Sequence, residues 1–125
     1  MMLRSRSTTS DQANAILRLL RGQRFVLSAE KELQQDIHDL LEGAGIAHER
    51  EVQLSEGVID FLTVAGVGIE VKVGGAKRTI YRQCVRYCCA KRVRALLVVS
   101  ARPIGLPGII LGKPVYVLSL GQAWL

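Results

Sequence analysis

The stretch VIDFLTVAGVGIEVKV, residues 58–73, decides how the chain is built. Two apolar runs, 58–64 and 67–73, flank Ala65-Gly66 and form a β-hairpin. The second run carries Glu70 and Lys72 among Ile69, Val71 and Val73. Residues two apart on a strand share a side, so Glu70 and Lys72 project together, opposite the three aliphatic residues. Desolvating charge is costly, so these groups need a compensating partner.

Asp60 sits on the first run, and the hairpin's parity decides whether it meets that pair. A two-residue loop sets Asp60 opposite Val71. An odd loop, Ala65-Gly66-Val67, sets Asp60 opposite Lys72 and Leu62 opposite Glu70. We expect the odd loop, with Gly66 or Gly68 in the conformation of a bulged turn. The alternate positions Val58, Leu62 and Val64 are apolar, which argues against a wetted face.

Helices flank the hairpin. SAEKELQQDIHDLLEGAG, residues 28–45, reads as a helix capped by Ser28, with Leu33, Ile37, Leu40 and Leu41 inward and Gly43 or Gly45 ending it. Glu30 aligns with Leu33, Gln34, Ile37 and Leu41, so it is expected on the buried stripe, looking toward the sheet. After Gly74-Gly75, residues 76–92 form a helix with Ile80, Cys84, Tyr87 and Cys88 inward and Gln83 between Ile80 and Tyr87. An earlier helix spans 8–23, capped by Ser10 or Asp11 and stopped by Gly22. Residues 47–54 alternate like an edge strand, with Val52 and Leu54 inward. ALLVVS (95–100) suits a central strand, 101–114 with its three prolines a loop, and PVYVLSL (114–120) a last strand. The expected order is α-α-β-β-β-α-β-β, an α/β sandwich around a mixed central sheet.

Three carboxylates and a lysine gathered in a partly buried space would raise one another's pKa unless a cation sat among them. Hard oxygen donors suit Mg²⁺ or Mn²⁺. Asp60, then Glu70-Val71-Lys72, with Glu30 on the helix before and Gln83 on the helix after, resembles the PD-(D/E)xK nuclease superfamily. The likeness is nearest to its small stand-alone branches, the virus-type replication-repair (VRR) nucleases and Holliday junction resolvases. It covers roughly residues 28–100 in motif order, and Ile59 stands where that motif has proline. The resemblance implies a restriction-endonuclease-like fold. It also implies metal ligands at Glu30, Asp60, Glu70 and the Val71 carbonyl, a catalytic Lys72, and supporting roles for Glu30 and Gln83. The implied activity is metal-dependent endonucleolytic hydrolysis of duplex or branched DNA, in repair or recombination.

Charge distribution points to the same partner. All eleven acids lie between Asp11 and Glu70, while residues 71–125 hold ten basic groups and no acid. Such segregation favours a polyanion on one face. Arg78, Arg82 and Arg86 recur every four residues, with Lys77 beside them, a row suited to phosphates rather than bases. The rival reading is a non-catalytic nucleic-acid-binding protein that keeps the fold. A metal-independent RNA-processing or toxin protein would need a His/Arg or His/Glu pair, and His38 falls on a polar helix face while His48 borders an edge strand.

At 125 residues one domain is expected, 10–125, after a basic tail over 1–9. No run is apolar enough to span a membrane, and the N-terminus lacks the apolar core of a secretory signal. Cys84, Cys88 and Cys89 lack framework or finger spacing, so they read as reduced thiols packed in a cytoplasmic protein. No organic cofactor is expected. A chain this small covers little duplex, so cutting two strands implies a homodimer.

Overall fold

The computed structural model describes residues 8–121. The elements are α1 (Thr8–Arg21), α2 (Glu30–Gly43), β1 (His48–Leu54), β2 (Gly57–Thr63), β3 (Val67–Lys72), α3 (Lys77–Cys89), β4 (Ala95–Ser100), β5 (Ile109–Ile110) and β6 (Lys113–Ser119). One mixed six-stranded sheet has the order β1-β2-β3-β4-β6-β5. β3, β4 and β6 run parallel, and the other neighbours are antiparallel. The connection from β3 to β4 passes through α3, since parallel neighbours require a crossover.

Two cores follow from alternation along the strands. α1 and α2 cover one face, packing Ile16, Leu20, Leu33, Ile37 and Leu41 against Phe61, Ile69, Val71 and Leu97. α3 covers the other, packing Ile80, Cys84, Tyr87 and Cys88 against Ile59, Leu96 and Val98. β4 is buried along its whole length because helices lie over both its faces. No helix among the described residues is long and apolar enough to cross a membrane.

Several expectations are corrected. α1 begins at Thr8, so Ser10 and Asp11 lie within the helix rather than capping it, and the expected tail yields Thr8 and Thr9 to α1. Residues 1–7 and 122–125 lie outside the described residues. Ala29, not Ser28, occupies the N-cap of α2, with no side-chain hydrogen bond to the first turn. The loop after β4 contains a short strand: β5 turns into β6 through Leu111 (φ 51°) and Gly112 (φ 78°), a two-residue connection with both residues left-handed.

The central hairpin keeps the expected parity but shifts by two residues. The turn is Val64-Ala65-Gly66, and β2 pairs β3 as Phe61↔Ile69 and Leu62↔Gly68. Gly66 takes φ 92°, and its carbonyl accepts hydrogen bonds from Arg94 N (2.8 Å) and Ala95 N (3.2 Å). That anchorage to the start of β4 fixes where the hairpin turns, a constraint that residues 58–73 alone do not contain. Continuing the register sets Asp60 level with Glu70 rather than with Lys72.

Candidate active site

The site grows from an interruption in two strand ladders. β1 pairs β2 through Arg50↔Phe61 and resumes at Val52↔Ile59, passing over Glu51 and Asp60. The β2–β3 ladder stops at Phe61↔Ile69. Asp60 is therefore paired in neither ladder. Glu51 takes φ 49°, a left-handed conformation that non-glycine residues adopt rarely and that tends to mark special positions.

The faces of β1 and β2 switch at this level. Phe61 belongs to the α1/α2 core, while Ile59, two residues earlier, belongs to the α3 core. Regular alternation would put both on one face. In β1 the Arg50 guanidinium lies 5.6 Å from the Phe61 ring centre, whereas Val52 joins the α3 core. Ile59 thereby crosses above Gly68, where an added Cβ would stand 2.6 Å from Ile59 Cδ1. Gly68 is needed for that close approach, not for its backbone angle.

Where the ladder opens, carboxylates replace backbone partners. Asp60 N donates to Glu70 Oε1 at 3.2 Å, and Val71 N donates to Asp60 Oδ2 at 2.7 Å. The two carboxyl groups are also within hydrogen-bonding reach of one another. Glu70 is 4% exposed. Its Oε2 lies 3.2 Å from Lys72 Nζ and 3.3 Å from the Tyr87 hydroxyl. That hydroxyl lies 2.7 Å from the Val58 carbonyl, which can only accept, so its one proton points there. Glu70 then meets the oxygen of Tyr87, an arrangement that suits a protonated carboxyl.

Electrostatics agree. Burial, then the charge of Asp60, pushes Glu70 up to about 7, against the opposing pull of Lys72. Burial also raises Asp60, Glu30 adds to the rise, and the Val71 amide opposes it. Burial, then Cys88, raises Cys84 to about 11, so this thiol beside the site is protonated and inert.

The expected residues distribute as follows. Asp60, Glu70 and Lys72 come together, and Val71 lends its amide to Asp60. Gln83 is half-buried on α3 and interacts with the Tyr87 hydroxyl. Glu30 is a correction in burial: it is exposed, because it is the first residue of α2 and overhangs the end of the stripe that starts at Leu33. Its charge still reaches Asp60. Val58 and Val64 are also exposed, at 45% and 85%, since one precedes the face switch and the other lies in the turn. Their apolar character therefore does not testify to a covered face.

Lys77, Arg78, Arg82 and Arg86 are all exposed, and none pairs with a carboxylate among the described residues. Arg82 lies two residues from both Ile80 and Cys84, roughly 160° around the helix from each. The arginine row thus faces away from the sheet and from Glu70. A different cationic surface lies past the end of β3. A cleft of about 500 Å³ opens one residue beyond Lys72, at the C-terminal ends of β3 and β4. Gly74, Gly75, Lys77, Ser100 and Arg102 line it, and Arg102 Nη2 donates to the Gly75 carbonyl at 3.1 Å.

Sequence reasoning missed Tyr87 and Arg102 as site residues. Tyr87 carried a signal: a buried tyrosine on an apolar stripe needs a partner for its hydroxyl. Arg102 carried none, because only the parallel pairing of β3 and β4 brings it to the cleft beyond Lys72.

No protein-family model, curated protein or solved structure matches this chain. The case for a function therefore stands on this geometry.

Proposed function

We propose that the chain is a divalent-metal-dependent nuclease with a restriction-endonuclease-like fold, hydrolysing phosphodiester bonds in duplex or branched DNA. One observation carries the reading. The sheet gives up ladder pairing at Asp60 and brings two carboxylates and the Lys72 ammonium into one half-buried group. Neutral acceptors would serve the same two amides without the cost of gathering two acids around a single base. The resemblance to PD-(D/E)xK nucleases is consistent with it.

The donor set fits Mg²⁺ or Mn²⁺: oxygen atoms only, on two carboxyls raised first by burial and then by neighbouring carboxylate charge. Asp60 and Glu70 would hold the ion, with the Val71 carbonyl and Glu30 as further oxygen donors. When bound, such an ion acidifies water and offsets charge on a phosphate. Lys72 then leaves Glu70 for the substrate, orienting the attacking water and stabilising charge that builds on the phosphoryl oxygens. Gln83 positions the Tyr87 hydroxyl, which would turn its proton from the Val58 carbonyl to an ionised Glu70 and hold that carboxylate from behind. Gly74, Gly75, Lys77 and Arg102 receive the strand next to the scissile bond, and the outward arginines of α3 add long-range attraction. Two-strand cutting requires two such sites and hence a homodimer.

The test is incubation of the chain with supercoiled plasmid and with a four-way junction, in Mg²⁺, Mn²⁺ or EDTA. Cleavage is expected with either metal, abolished by EDTA and by Lys72→Ala. Tight binding with no cleavage under any of these conditions would instead support a non-catalytic DNA-binding protein.

A further inference from the structure

A second set of ligating side chains lies where α2 hands over to β1, apart from the carboxylate site. α2 ends in a well-defined turn: Ile46 N donates to the Leu41 carbonyl (2.9 Å) and Gly45 N to that of Glu42 (3.1 Å), with Gly45 at φ 73°. This pair of bonds about a left-handed glycine is the Schellman arrangement, which fixes the chain direction after a helix. It returns the chain so that His48, first residue of β1, stands beside His38 of α2. His48 Nε2 and His38 Nδ1 are 2.8 Å apart, and both rings are half-buried. Glu42 lies one helical turn after His38 on the same side. Ligand atoms of His38, Glu42 and His48 all fall within 4.8 Å of one another.

The hydrogen bonds also fix which nitrogen is available. His48 Nδ1 lies 2.7 Å from the Ile46 carbonyl. A carbonyl only accepts, so Nδ1 carries the proton and Nε2 presents its lone pair toward His38. A backbone carbonyl behind a ring nitrogen is the support that metal-binding histidines usually have. The Phe61 ring packs edge-on to His48 with centres 5.8 Å apart and limits its rotation.

We propose that His38, Glu42 and His48 form a site for a zinc-class divalent transition cation that clips α2 to the edge strand β1. Two imidazoles and a carboxylate select Zn²⁺ over Mg²⁺, so the site does not compete for the metal of the carboxylate pair. Tetrahedral Zn–N bonds set neighbouring ligand atoms about 3.4 Å apart. The two nitrogens therefore need to part by only about half an ångström. When the cation binds, the proton that His38 Nδ1 shares with His48 Nε2 moves to His38 Nε2, which leaves both facing nitrogens free as ligands. The fourth position is open to water, because Glu42 is exposed.

The test is calorimetric titration of the full chain with Zn²⁺ in excess Mg²⁺, together with thermal melting. One equivalent is expected to bind and Tm to rise, with Mg²⁺ alone giving no comparable rise. Glu42→Gln and His48→Gln should each weaken Zn²⁺ binding at least about tenfold. Glu42 is exposed, so its variant keeps the test valid if the histidine variant folds poorly. Binding should persist in Asp60→Asn and in the Cys84→Ser/Cys88→Ser/Cys89→Ser variant, which separates this site from the carboxylates and the thiols. Undiminished affinity in both Glu42→Gln and His48→Gln, or no Zn²⁺-dependent change in Tm, would overturn the assignment.

Discussion

Asp60 and Glu70 complete each other's strands: the amide of Asp60 donates to the Glu70 carboxylate, and the amide next to Glu70 donates to the Asp60 carboxylate. Two acids that repel are held together because each is the acceptor the other strand lacks. Buried amides without acceptors cost about 1–3 kcal/mol each. The backbone therefore contributes to holding the carboxyl pair in place.

Removing one acid should silence cleavage without abolishing DNA binding. Asp60→Asn and Glu70→Gln each keep an acceptor oxygen for the amide they serve, so both should fold. Plasmid nicking in Mg²⁺ should drop by about 10²–10³-fold, the scale seen when one charge-stabilising group is removed. Gel-shift affinity in Ca²⁺ or EDTA should stay within severalfold of the parent. Nicking at parental rates in either variant would sink the proposed site.

Tyr87→Phe removes a hydroxyl that supports Glu70 and the Val58 carbonyl. Losing one buried hydrogen bond should lower stability by about 1–2 kcal/mol in urea unfolding. Cleavage should drop by about tenfold or more through misplacement of Glu70, as with other residues that orient ligands.

Glu70 makes the metal-free protein less stable as pH rises. Its folded-state pKa is about 7 against an ordinary 4.5, so the native state binds the extra proton. Its contribution is most favourable below the unfolded value, declines between the two and stays low above about 7. In EDTA, Glu70→Gln should raise Tm at pH 8 and gain much less at pH 5. Mg²⁺ at pH 8 should raise the Tm of the parent and not of the variant. A Tm difference independent of pH would contradict the burial of a charged Glu70.

The cleft beyond Lys72, rather than the outer row on α3, should receive the cut strand. Lys77→Ala with Arg102→Ala should raise KM for cleavage more than Arg82→Ala with Arg86→Ala does. Both pairs should lower the salt dependence of binding, by roughly one unit of slope for each phosphate no longer engaged. The opposite ranking in KM would move the substrate path to the far side of α3.

Gly68 and Ile59 should be coupled. Gly68→Ala drives a methyl against Ile59 Cδ1 and should cost about 1–3 kcal/mol by overpacking. Ile59→Val removes that atom and should recover most of the deficit in the double variant. Additive effects would mean that the two strands separate at this level instead.

Much of this molecule is legible in the residues taken one after another. The periodicity of 28–45 and 76–92 announces α2 and α3, because helical stripes are a local property. Alternation and the unbroken ALLVVS run announce an edge strand and a central one. The spacing of Glu70 and Lys72 puts them on one side of β3 whatever else the chain does, and the parity of the hairpin adds Asp60.

Tertiary structure decided the rest, because distant segments constrain one another only once packed. The two-residue shift of the hairpin comes from the hold of Arg94 and Ala95 on Gly66. The face switch at Glu51 and Asp60 needs three strands to negotiate two cores at once, so no single strand's pattern displays it. Tyr87 under Glu70, Arg102 against Gly75, and His48 against His38 are meetings made by packing. Sequence by itself determined which groups this protein possesses and, where helix and strand run regularly, which side each occupies. Only the folded chain determined which of them are close enough, and dry enough, to alter one another's chemistry.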